Sequence, residues 1–441
     1  MKTNILVLGA GLVSRPGVRY LLDQQDLNIT VASRTVAKAE ALVEGYANGR
    51  ALQLDVENET ALANLIAQYD IVISLLPWIH HVKVANLCLE YGRDMATTSY
   101  VSEGMQALDK AVRERGLLFL NELGVDPGID HMSAMQIIDQ VHAANGRVVD
   151  FYSVTGGLPA PEDNDNPFGY KFSWSPRGVI LASRNSARYL EHGRIVEVEG
   201  RNLFLDRRLD PVEGIGELVI YPNRDSLPYR DIYGIPEAET VMRGTYRYPG
   251  WCETMKAMVD LGLIDETPRK ELQKATMRQM MALLSGVTIQ DDVRAAAARK
   301  LGVSRDAAVL DNMEWLGLFS DDPVGEIPNP LDILSQRMQE KMGYAPGERD
   351  MIVMRHTFVV ENADQTRERI TSTLIDFGEP HGDTSMARTV SLPLAVGVSL
   401  MAREKIDQVG VVRPVSPAVY EPVMAELSRL GIAMREKREK I

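Results

Sequence analysis

The residues best suited to chemistry begin at Gly9-Ala-Gly-Leu-Val-Ser14, between an apolar run and a helical pattern. A dinucleotide fingerprint belongs at such a junction. Gly9 permits the tight turn, Gly11 lets the backbone approach a pyrophosphate, and Leu12 and Val13 lead into the helix whose N-terminus holds it. The third fingerprint position is Ser14 rather than Gly or Ala, a departure that loosens helix–strand packing. The bare pattern is weak, and a glycine-rich turn is the plainer alternative. Its place inside a βαβ unit of the right length gives it force.

A second cluster chooses the cofactor. A site for NAD carries an acidic residue about 20 residues beyond the glycines, on the ribose 2′-hydroxyl. Here the stretch reads Ala32-Ser-Arg-Thr35. Arg34 can grip a 2′-phosphate with its planar fork, Ser33 and Thr35 add hydroxyl donors, and no carboxylate stands there to repel it. NADP is the expected cofactor; a solvated arginine at a helix N-terminus is the alternative. The other candidates sit where further strands should end, the edge at which open parallel sheets bind ligands. They are Asp55 and Val56 at the adenine edge, Leu75 in Ser74-Leu-Leu-Pro77 beside the nicotinamide ribose, and Thr98 and Ser99 in Thr98-Ser-Tyr100. Val125, Asp126 and Pro127 follow in Glu122-Leu-Gly-Val-Asp-Pro-Gly128. Each alone could be turn chemistry; together they line one crevice. His80, His81 and His131 are candidates because imidazoles as a class can titrate near neutrality, yet His80 and His81 could equally cap or pack a helix. The histidines never form ligand spacing with Cys88 and Cys252, so no metal is expected.

The elements that must position these residues follow from hydrophobic pattern. Runs at 4–8, 28–32, 51–54, 71–76, 93–97 and 117–121 are mostly Val, Ile and Leu without alternation, as in strands buried on both faces. Segments 36–46 and 59–68 read as amphipathic crossover helices. That rhythm predicts an α/β class with an N-terminal Rossmann doubly wound parallel sheet. From residue 148 longer, alternating strands appear at 148–154, 216–221, 239–246, 351–361 and 369–377, the last two joined by a hairpin. They predict a second α+β domain with a largely open mixed sheet. The loop 157–176, rich in Pro, Gly and Asn, is of the kind that is functional or disordered. Segments 269–284, 291–301 and 330–342 have helical spacing and predict a small inserted all-helical domain. Helices at 384–402 and 416–431 could pack back onto the first sheet. The expected domains are 1–130 with about 380–441, 131–250 with 349–379, and 251–348.

At 441 residues the chain needs two or three cores. A net charge of −13 argues against nucleic-acid or anionic-membrane partners but allows a local arginine cluster to hold an anion. Two distant cysteines fit a reducing compartment. The chain opens on a strand rather than a signal sequence, and no apolar run approaches the roughly 20 residues of a membrane span. A cytoplasmic protein is expected.

Several stretches resemble the saccharopine reductases, the glutamate-forming saccharopine dehydrogenases. They are Gly9 to Pro16, Thr98-Ser-Tyr-Val-Ser102, Asn121 to His131, Gly156-Gly-Leu-Pro-Ala-Pro161, Asn166 to Arg177 and Tyr248-Pro-Gly-Trp-Cys252. The loop Tyr170 to Arg177 is the most specific, since no generic Rossmann enzyme requires it. The resemblance implies reversible oxidation of saccharopine with NADP and water to glutamate and 2-aminoadipate semialdehyde. It implies three domains and a homodimer, the second domain binding substrate and carrying the dimer contact. By the same analogy the substrate contacts are Ser99, Tyr100, Asp126, Arg224, Thr245, Tyr246 and Arg247. Arginines suit a ligand with three carboxylates, which they can clamp two oxygens at a time. The candidate general bases are Asp126, Tyr100 and Lys171, in that order, and substrate-assisted catalysis is the alternative. Two rival readings stand beside this one: a carboxynorspermidine-type polyamine dehydrogenase, and a non-catalytic NADP-sensing regulator.

Overall fold

The computed structural model describes residues 2–441. Its strands are β1 (Thr3–Leu8), β2 (Leu27–Ser33), β3 (Gly49–Gln53), β4 (Ile71–Ser74), β5 (Asp94–Thr97), β6 (Leu118–Leu120), β7 (Arg147–Pro159) and β8 (Ala187–Glu191). Then follow β9 (Arg194–Val198), β10 (Arg208–Val212), β11 (Gly216–Pro222), β12 (Thr240–Arg247), β13 (Asp350–Glu361), β14 (Arg367–Phe377), β15 (Gly410–Val412) and β16 (Arg435–Lys440). The chain divides into two compact units, residues 1–147 with 360–441, and residues 148–359.

The first unit is built on a seven-stranded sheet in the order β15-β6-β5-β4-β1-β2-β3, every pair parallel. Ile5 to Leu8 have no exposed surface, which explains why these runs lack alternation: helices cover both faces. The order reverses between β1 and β4, the switch point at which doubly wound sheets take ligands. Leu8 pairs with both Ala32 and Ser74, so Gly9, Ser33 and Leu75 emerge level along one edge. The helices Ser385–Met401 and Pro417–Arg429 belong to this unit. The former lies so close to the helix Arg15–Leu22 that a Cβ at Gly17 would sit 2.5 Å from the Ser391 carbonyl oxygen. Between them β15, only three residues long, adds the seventh strand beside β6, unanticipated because three residues show no period. β14 and the all-exposed, charged β16 pair antiparallel.

In the second unit the order is β10-β11-β12-β7-β13, with the β8–β9 hairpin beside β12. β12 runs parallel to β7 and antiparallel to β11, so the sheet is mixed, as expected. Strands β8, β9 and β10 fall in a stretch the sequence reading left without elements; their arginines and acids dilute the strand pattern. The helix expected over 269–284 is shorter, Met277–Ser285. A 3-10 turn, then Lys274 at φ +60°, precede it, and the Thr276–Gln279 capping box starts it. The helical stretch 251–348 lies within this second unit. β7 runs on to Pro159, and the loop after it is pinned. The Lys171 ammonium sits 2.9 Å from Asp165 and 2.7 Å from Glu348, and the Phe172 N–H bonds the Met342 carbonyl.

Candidate active site

In the first unit, Gly9 has φ +111°, and a Cβ there would meet the Leu75 carbonyl oxygen at 2.8 Å. Gly11 is exposed with open space where its Cβ would lie, leaving room for a phosphate-sized ligand. Ser14 corrects the expectation of loose packing. It is fully buried, its hydroxyl accepts the Gly11 N–H at 3.0 Å, and the close approach of helices is made by Gly17 instead. Leu12, Trp78 and Ile79 stand largely exposed after β1 and β4, an apolar surface at the switch point.

Arg34 follows β2, is exposed, and has no acidic partner among the described residues. Ser33 accepts the Thr35 N–H at 3.3 Å, and the helix Val36–Val43 has no acid in its first turn. A bare cation beside a helix N-terminus free of carboxylates fits the 2′-phosphate of NADP. Asp55 is exposed and its carboxylate accepts the Glu57 N–H at 3.1 Å; Val56 follows, half-buried, its carbonyl held by Lys83.

The ends of β5 and β6 bring the remaining residues of this unit together. Glu122 N–H bonds the Ser99 carbonyl and Leu123 N–H that of Thr97. Thr98 lies against Gly124, where a Cβ would be 3.3 Å from the Thr98 Cβ, and Val125 and Pro127 are buried in the same turn. The Tyr100 hydroxyl donates to Asp126 Oδ1 at 2.9 Å, so two of the proposed bases are partners. Glu122 is 2 % exposed at φ +59°, and its carboxylate accepts the Val101 N–H, Arg413 Nε and His131 Nε2 at 2.7–2.9 Å. Burial opposes that charge, but His131, Arg413 and the Val101 N–H outweigh it and hold the carboxyl down to about 2. His81 is 5 % exposed and bridges Ser74 and Ser99. Burial first, then His80, holds its imidazole down to about 4, so it is neutral. Sequence reasoning left His81 among capping or packing histidines, since no local signal pairs it with Ser74 and Ser99.

In the second unit, Arg224 is exposed at φ +57° in the turn after β11, its carbonyl accepting the Arg188 N–H. Thr245 and Arg247 point to one face of β12 and Tyr246 to the other. The Tyr246 hydroxyl is committed to Asp210, which also pairs with Arg355. Arg247 is 7 % exposed, its guanidinium 4.9 Å from the Tyr170 ring centre and 5.4 Å from that of Trp251. One amino group donates to the Tyr246 carbonyl at 2.7 Å, its Nε has no partner, and no carboxylate pairs with it among the described residues. The Trp251 indole N–H is likewise buried without an acceptor. Tyr170, in the loop singled out as most specific, thus stacks against a buried arginine that has no carboxylate partner among the described residues. Lys171 points elsewhere. Burial works against its charge, but Asp165 and Glu348 outweigh that and raise its pKa, which makes it a poor base.

Residues 5–120 match the model of the saccharopine dehydrogenase NADP binding domain, and residues 124–432 that of the saccharopine dehydrogenase C-terminal domain. The NADP(+), L-glutamate-forming saccharopine dehydrogenase of Schizosaccharomyces pombe is 41% identical over 98% of this chain and 98% of its own. That of Saccharomyces cerevisiae is 41% identical over 99% of each. A solved structure of the apo, histidine-tagged saccharopine dehydrogenase (L-Glu forming) from Saccharomyces cerevisiae superimposes with a TM-score of 0.90. It is 40% identical and covers 99% of this chain and 100% of that one. The chain belongs to the saccharopine dehydrogenase family.

Proposed function

We propose that the protein catalyses the reversible oxidation of saccharopine by NADP⁺ and water to L-glutamate, 2-aminoadipate 6-semialdehyde, NADPH and a proton. This is a step of lysine metabolism. The observation that carries the reading is Arg247, a buried guanidinium with an unbonded Nε and no carboxylate partner among the described residues. A substrate with three carboxylates supplies it, and whole-chain similarity to the glutamate-forming enzymes identifies which such substrate. Arg224 is a second carboxylate site, with Thr245 and the Tyr246 backbone lining the strand between.

Gly9, Gly11, Leu12, Val13, Ser33, Arg34, Thr35, Asp55, Val56, Leu75, Thr98, Ser99, Val125, Asp126 and Pro127 would hold NADP, which would supply the hydride acceptor. The chain's own residues handle the proton. The bridging secondary amine must be neutral before its neighbouring carbon can give up hydride. The Asp126 carboxylate takes that proton, and the Tyr100 hydroxyl holds the carboxylate in place from its Oδ1 side. Lys171 anchors the Tyr170 loop rather than moving protons. We read the active form as a cytoplasmic homodimer, from the family resemblance and from two buried cysteines that remain free.

The test is turnover. Purified protein mixed with saccharopine and NADP⁺ reduces the nicotinamide with stoichiometric release of glutamate. No reduction by protein that binds NADP would put the polyamine dehydrogenase and the NADP sensor ahead of this reading.

A further inference from the structure

Among the polar clusters, Lys171 pairs with Asp165 and Glu348, and Asp376 with Ser385 and Arg388. The cluster of Ser74, His81 and Ser99 is different, since it starts in the core and ends on a half-buried hydroxyl at the ligand edge of the sheet. Ser74 Oγ lies 2.8 Å from His81 Nδ1, and His81 Nε2 lies 2.7 Å from Ser99 Oγ. Thr97 stiffens both ends: its hydroxyl donates to the Ser74 carbonyl at 2.9 Å and accepts the Ser99 N–H at 3.4 Å.

We propose that His81 is a positioning residue that fixes the Ser99 hydroxyl and, through its neutral tautomer, sets whether that hydroxyl donates or accepts toward substrate. The proposal rests on the reading above that Ser99 meets substrate. A neutral imidazole has one donor and one acceptor. With the proton on Nδ1, Nε2 takes the Ser99 proton, and Ser99 offers lone pairs to an amine. With the proton on Nε2, Ser99 is free to donate to a carboxylate. Saccharopine presents both kinds of group. A proton shuttle to solvent is ruled out, because Ser74 is fully buried and its hydroxyl has only His81 as partner among the described residues. The chain of bonds is a clamp, not a wire.

The side chains of asparagine and glutamine separate the two contacts. In His81→Asn the amide reaches the Nδ1 position and keeps Ser74; in His81→Gln it reaches the Nε2 position and keeps Ser99. Both lose similar packing. H81N raises KM for saccharopine about tenfold, the size of one lost hydrogen bond to a charged group, while H81Q stays within about threefold of the parent. S99A reproduces the H81N loss, and H81N/S99A is no worse than S99A alone. In nitrogen-15 spectra His81 is a neutral imidazole whose tautomer balance shifts when saccharopine is added. Equal losses in H81N and H81Q, additive losses in the double variant, or a charged imidazole at neutral pH would overturn the proposal. A parent enzyme inert toward saccharopine contradicts the proposed function instead, while an active parent matched by S99A contradicts this inference alone.

Discussion

Arg34 in the first unit and Arg247 in the second both lack an acidic partner among the described residues, yet their surroundings are opposite. Arg34 stands in water after β2, where screening weakens a charge and solvation keeps it comfortable. Arg247 lies between two aromatic rings, with its Nε buried and unbonded. A cation of the first kind costs the fold little and, in the role proposed for Arg34, would tune a choice between cofactors. A cation of the second kind destabilises the empty protein by an amount that ring contacts worth about 2 kcal/mol only partly offset. On the proposed function such a group is kept for the ligand it binds. The pair would then separate selectivity, set at an exposed edge, from affinity, set at a buried cation.

The largest effect should come from the buried cation. Arg247→Met leaves a substrate carboxylate unpaired, at about 3–5 kcal/mol, which lowers kcat/KM for saccharopine roughly 10² to 10⁴-fold in steady-state assays. Asp126→Asn should come next, with a loss of roughly 10²-fold or more near neutral pH. Lys171→Met should leave the shape of the pH–rate profile unchanged, because its ammonium is already paired twice.

Acid sharpens the contrast between the units differently, because the buried network of the first titrates. The unfolded chain binds a proton near pH 6.5 that folded His81 refuses until about 4. Stability is therefore full above about pH 6.5 and falls by about 3 kcal/mol as the pH drops through that window. Glu122, held down to about 2, adds a loss below its ordinary value of 4.5 as the pH falls further. Urea unfolding at a series of pH values checks both, and H81Q should flatten the upper part of the curve. The smallest effect belongs to the wet cation. Arg34→Ala should lower kcat/KM with NADP⁺ roughly 10 to 100-fold and leave the rate with NAD⁺ about where it was. An equal loss with both cofactors would remove Arg34 from the 2′-phosphate.

Much of the first unit was legible because its signals are local. Apolar runs buried on both faces, a glycine turn and an arginine after the second strand are all readable within a few residues. Ser14 was misjudged because the glycine that meets a neighbouring helix is Gly17, and its contact, Ser391, lies on a helix from the far end of the chain. β15 has no period to read, and β8 to β10 carry arginines and acids that mask their pattern. At the candidate site the residue types were visible but their pairing was not. Tyr100 with Asp126, His81 between two serines, and Tyr170 over Arg247 are tertiary contacts between segments that sequence spacing does not connect.

Thermal unfolding of the parent and R247M, each with and without saccharopine, tests whether the buried Arg247 is kept for a substrate carboxylate. We expect the empty R247M protein to melt at the parent's Tm or above it, and saccharopine to raise Tm in the parent but not in the variant. A marked drop in Tm of the empty variant, with the saccharopine-dependent rise intact, would show instead that Arg247 serves the fold and not the substrate.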